Sequence, residues 1–131
     1  MKIVVAWAGL GNMMFQYSLV IAFRKKNVKT ILFVSETDAD HNGYELERIF
    51  SICKPYEGIN SIGRYYYKFL GKLRKFVLNR KHIFPYKLLL FPFERYIEEI
   101  PYIYYPNVFD NLNKDDFFYG TFQSYKYFDE F

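Results

Sequence analysis

Residues 3–23 read IVVAWAGLGNMMFQYSLVIAF, and the order of residue types in that stretch decides the fold. Ile3, Val4 and Val5 form a short β-branched run of the kind that suits a pleated strand. The run breaks at Gly9-Leu10-Gly11-Asn12. From Met13 to Phe23 the chain has neither Gly nor Pro and is apolar on nearly every side, so it reads as a buried helix. Arg24, Lys25 and Lys26 follow, where cations complement the negative pole of a helix. A second β-rich run, Thr30 to Val34, closes a βαβ unit. The expected class is therefore α/β, with a Rossmann-like arrangement of parallel strands.

Two glycines one residue apart are expected to let the backbone take positive φ and approach a ligand closely. The first free N–H groups of the helix would then point into the gap, which favours anions such as phosphate. Two readings compete for the turn. A dinucleotide-binding turn places an acid where Glu36 falls, but wants a third glycine where Met14 stands, and a Met side chain there is expected to obstruct close packing. A P-loop is excluded, because no Gly-Lys-Ser/Thr follows. The remaining reading is a turn with no ligand. Asn12 and Gln16 lie four apart, on one face at the N-terminal end of the helix. Either is a ligand contact, a cap or a satisfied buried amide.

A chain of 131 residues is long enough for one domain with a sizeable core. With 15 Phe and 14 Tyr and about half its residues hydrophobic, disorder is excluded. Cys53 is the single cysteine and cannot form an internal disulfide, which fits a reducing compartment. Only His41 and His82 are present, and His82 has no cysteine or carboxylate in ligand spacing, so no metal is expected. The apolar run after Lys2 is short for an export signal, and no stretch reaches the roughly eighteen apolar residues of a membrane span. A cytoplasmic protein is expected, with room for peripheral contact at the inner membrane face.

The net charge of +4 is unevenly spread. Residues 1–63 carry seven bases and six acids, residues 64–90 eight bases and no acid, and residues 91–131 three bases and eight acids. Within the basic third, Tyr66, Phe69, Leu70, Leu73, Phe76 and Val77 fall on one helical stripe and Arg64, Lys68, Lys72 and Lys75 on another. Such a helix either packs one face and solvates the other, or binds an anionic membrane surface or an acidic partner. Nucleic acid is not expected, because the aromatics sit on the apolar stripe and do not interleave with the bases.

Elsewhere, Ser35 to Asn42 reads as a loop, and His41 to Phe50 (HNGYELERIF) as a loop followed by a short helix. Its apolar edge is formed by Tyr44, Ile49 and Phe50, and Glu45 is spaced to pair with Arg48. From His82 to Pro106, Pro85, Pro92, Pro101 and Pro106 break the chain into loops and short strands. Phe117 to Tyr119 is a strand candidate, Gly120 a point of close approach, and Ser124 a cap for a helix starting at Tyr125.

The blocks Ala8 to Ser18 (AGLGNMMFQYS), His41 to Phe50 and Phe117 to Phe128 (FFYGTFQSYKYF) together resemble, in order, the blocks of the α1,2-fucosyltransferases of glycosyltransferase family 11. Three positions depart from the family pattern. Ala8 stands for its first glycine, Met13 for a glutamine and Thr121 for an aromatic. Gln123, Ser124 and Lys126 keep the polar positions of the third block.

The resemblance implies the N-terminal half of a two-domain GT-B-type glycosyltransferase. That enzyme transfers L-fucose from GDP-fucose, with inversion and without a required metal or other cofactor, to a galactose 2-hydroxyl of a glycan or lipid-linked oligosaccharide. It also implies substrate-binding roles for Gly9, Gly11, Asn12 and Gln16 near the transferred sugar. His41, Asn42 and Glu45 would lie near the acceptor, and Gln123 is a further substrate-binding candidate sharing that hollow. Glu45 is a candidate base on chemical type alone, and a salt bridge to Arg48 is the competing job. The family's pyrophosphate-binding motif, H-x-R-R-x-D, does not occur in residues 1–131, so the sequence is expected to be an acceptor-side portion with little activity alone. Residues 64–90 would be a basic insertion within it. The alternatives are a non-catalytic module that binds glycans or a membrane surface through Arg64, Lys68, Lys72 and Lys75, and a nicotinamide oxidoreductase domain relying on Glu36.

Overall fold

The computed structural model describes residues 1–39, 43–51, 54–78, 95–98 and 103–129. His41, Asn42, Cys53, His82 and much of the proline-punctuated segment lie outside the described residues. So do the side chains of Glu36, Leu70, Leu73, Lys75, Phe76 and Val77.

The sheet has four parallel strands in the order β2-β1-β4-β3: β1 is Lys2–Ala8, β2 Thr30–Ala39, β3 Arg95–Glu98 and β4 Asp116–Tyr119. Val4 of β1 sits in register between Leu32 of β2 and Phe118 of β4. Ile3 to Ala6 are fully buried, as a central parallel strand covered on both faces requires. The α/β class expected from residues 3–23 and 30–34 is thus present. β2 continues to Ala39, which pairs with Ala8 past an irregularity between Ala6 and Ala8. The polar run expected to be a loop from Ser35 is strand as far as Ala39, because backbone pairing with β1 sets its length where composition does not.

Helix α1, Leu10–Lys25, buries Met13, Leu19, Val20 and Phe23. The Phe23 ring meets Phe118 at 5.1 Å and Phe109 at 5.3 Å between centroids. Removing a ring so placed costs about 3–5 kcal/mol. The helix ends in a left-handed Asn27 (φ 59°), with the Val28 N–H donating to the Phe23 carbonyl at 3.0 Å and the Asn27 N–H to that of Arg24 at 2.9 Å. Those two bonds satisfy carbonyls that a helix end otherwise leaves open.

Helix α2, Leu46–Phe50, packs on α1 and buries Leu46. Ile49 and Phe50, expected on its apolar edge, instead face solvent. Five residues make little more than one turn, so only one side of it can reach the core. Helix α3, Ser61–Leu78, packs on β2 through Tyr67, whose ring meets Phe33 edge-on at 6.4 Å. Tyr56 closes the outer edge of β2. Its N–H donates to the Leu32 carbonyl at 3.1 Å and its hydroxyl to that of Val34 at 2.8 Å, which occupies acceptors an open edge would present. Among the described residues no helix is long and apolar enough to cross a membrane.

Candidate functional site

β2 lies on one side of β1, and β4 and β3 on the other, so the strand order reverses between β1 and β4. In open α/β sheets that reversal leaves a crevice beyond the carboxyl ends of the strands, where ligands bind. Three elements meet there: the end of β1 at Trp7 and Ala8, the N-terminus of α1, and the chain leaving β4 through Gly120 to Gln123.

A buried amide ties them together. Gln16 has no exposed surface; its Oε1 accepts from the Trp7 N–H at 3.0 Å and its Nε2 donates to the Gly120 carbonyl at 2.9 Å. The same carbonyl accepts from the Trp7 indole N–H at 3.2 Å. Trp7 and Tyr119 stack face to face, with centroids 5.0 Å apart and planes within 8°. Nearer the surface, the Gln123 amide donates to Asn12 Oδ1. Residues 104 and 111 apart in sequence are therefore bonded where the carboxyl ends of β1 and β4 lie side by side.

The turn achieves its shape differently from the expectation. Gly9 is extended (φ −76°, ψ 172°), and the left-handed residue is Ala8 (φ 63°). A second left-handed residue, Phe122 (φ 52°), lies on the opposite rim and is held by its buried ring against Phe118 and Tyr127. An L-residue pays for this conformation where the surrounding packing fixes it, and such outliers gather at functional sites. Gly11 lies in the first turn of α1, exposed, and beyond its chain neighbours and its own helix backbone no atom lies within 4 Å of where a Cβ would stand. Met14 is 46% exposed and does not obstruct the turn, because the helix presents it to solvent. The first turn of α1 carries no acid, and its N–H groups at Leu10, Gly11 and Asn12 precede the first intrahelical bond, from Met13 to Gly9 at 3.1 Å.

Comparison with protein families, with curated protein sequences and with solved structures finds no match. The site is therefore read from its own chemistry. It is a rim of neutral amides, a stacked aromatic pair and the positive end of a helix, a set of groups whose chemistry suits a polar, hydroxylated or anionic ligand. Among the described residues no three of His, Cys, Asp and Glu come together as metal ligands.

Of the candidate residues, Gly9, Gly11, Asn12, Gln16 and Gln123 come together at this crevice, with Gln16 beneath its floor. His41 and Asn42 lie outside the described residues. Glu45 is buried and accepts from Arg48 at 2.8 Å, the pairing that the three-residue spacing indicated. Ser124 precedes a short 3₁₀ turn, Tyr125–Tyr127, without a side-chain cap bond. Sequence reading missed Trp7 and Tyr119. Their available signal was position: each is an aromatic at the carboxyl end of a strand, next to the residues that bend away from it.

Proposed function

We propose that this chain is the acceptor-side half of an inverting α1,2-fucosyltransferase of the GT-B type, taking L-fucose from GDP-fucose to a galactose 2-hydroxyl. The reading is supported by the bonding of the first and third resemblance blocks to each other, Gln16 to Gly120 and Asn12 to Gln123, at the switch point of the sheet.

In the proposed reaction the acceptor oxygen attacks the fucose anomeric carbon in line as the bond to GDP breaks, and the acceptor proton passes to a base. Positioning and charge stabilisation carry most of such a step. Gly11 leaves room for the sugar to approach the helix backbone. Asn12 and Gln123 present fixed amides to its hydroxyls, and Gln16 holds the floor. Glu45, engaged by Arg48, positions the second block. Charge on the departing diphosphate calls for the forked guanidinium of arginine, and the H-x-R-R-x-D motif is not among these 131 residues.

The test supplies a C-terminal half carrying that motif, together with GDP-fucose and a galactose-terminated acceptor. Transfer is expected from the pair, and Gly11→Ala is expected to lower kcat/KM at least about tenfold with no loss of stability, since its methyl enters only open space. No transfer by the pair, together with no binding of either sugar by the chain, would sink the proposal.

A further inference from the structure

Helix α3 carries a second surface, remote from the crevice. Ile62, Tyr65, Tyr66 and Phe69 recur at the spacing of one helical stripe, yet they are 79%, 77%, 41% and 61% exposed. The stripe expected to be available for packing is turned to solvent at Tyr66 and Phe69, because the helix meets β2 through Tyr67 on another side. Beside the stripe run Arg64, Lys68 and Lys72, one turn apart. Ser61, Arg64, Tyr65 and Lys68 line a hollow of about 290 Å³ against Tyr56, with the Arg64 guanidinium 5.8 Å from the centre of the Tyr56 ring.

We infer that α3 is a docking surface for an anionic lipid bilayer. Ile62, Tyr65 and Phe69 enter the interface, Arg64, Lys68 and Lys72 face the headgroups, and the hollow beside Ser61 seats a lipid phosphate. Charge complementarity selects this occupant. An exposed apolar ridge alone would suit any apolar partner, but the sequence of α3 holds five bases, Arg64, Lys68, Lys72, Arg74 and Lys75, and no acid, which matches a surface of like negative charges. The docking does not depend on the transferase reading.

Co-sedimentation of the full chain with phosphatidylcholine vesicles, with and without about 30% phosphatidylserine, tests it. Binding is expected only with phosphatidylserine, weakening as salt rises. The triple variant Arg64→Gln/Lys68→Gln/Lys72→Gln is expected to bind about a hundredfold more weakly, at roughly fivefold per cation. Phe69→Trp is expected to shift its emission to the blue on anionic vesicles. Unchanged melting temperatures would show that these positions are not needed for folding. Equal binding to neutral vesicles, an unshifted tryptophan, or a triple variant that binds like the parent would each overturn the inference. So would sedimentation showing a dimer that Ile62→Ser/Phe69→Ser dissociates, with no vesicle binding, since the stripe would then belong to a second copy.

Discussion

The two ends of the sheet are tied by opposite chemistry. At the amino end a full charge pair is sealed in: Lys2 and Asp116 form an ion pair with no exposed side-chain surface. The Lys2 ammonium also donates to the carbonyls of Lys114 at 2.8 Å and Asn111 at 3.1 Å. The chain's own amino group pairs with Asp115 beside it. At the carboxyl end the ties are neutral amides, Gln16 beneath and Asn12 with Gln123 above. A buried charge pair ties β1 to β4, and with both side chains sealed from solvent neither is exposed to a ligand. Neutral amides hold the same two strands while leaving polar edges at the rim. The difference sets a charged anchor at one end against polar groups at the other, and the carboxyl end is where open α/β sheets bind ligands.

Breaking the anchor should have the largest effect. Lys2→Met strands the Asp116 carboxylate without its counter-charge and is expected to cost about 3–5 kcal/mol by denaturant unfolding, and Lys2→Met/Asp116→Leu should recover much of that loss. Breaking the neutral tie should cost less. Gln16→Leu leaves the Trp7 N–H and the Gly120 carbonyl without its amide, and about 1–3 kcal/mol is expected.

The bends at the crevice sharpen the comparison further. Ala8→Gly removes a side chain from a left-handed residue and is expected to gain about 1 kcal/mol. A loss would mean that the Ala8 methyl matters more to packing than its backbone strain. The smallest effect concerns Tyr67, near the amino end, whose pKa is raised above the usual value of 10.0 chiefly by burial, with Tyr66 and Asp115 adding to it. The folded state thus holds that proton more tightly than the unfolded chain. Its contribution to stability is full below pH 10 and declines as the pH climbs through the raised value. Tyr67→Phe should flatten that alkaline decline in a pH series of melting temperatures.

Residues 3–34 carried the fold legibly, because β-branched runs and a glycine break are local signals. The extension of β2 to Ala39 was not legible, since it depends on pairing with Ala8 and not on composition. Gln16 showed where a polar group enters a greasy helix, but not that it would be buried under the crevice. That depended on Gly120, 104 residues away. The exposed face of α3 was hidden for a related reason. Periodicity marks a stripe, and only tertiary packing decides which side of the helix the sheet covers.

The central claim is that the crevice between β1 and β4 is where sugar substrates meet the chain. An amide-resolved NMR titration of the isotope-labelled protein with a galactose-terminated oligosaccharide, and then with GDP-fucose, tests it most directly. Shifts are predicted to concentrate at Leu10, Gly11, Asn12, Gly120 and Gln123, with Lys2 and Asp116 unmoved. Shifts centred on the Lys2 end, or no shift at the crevice with either sugar, would contradict it.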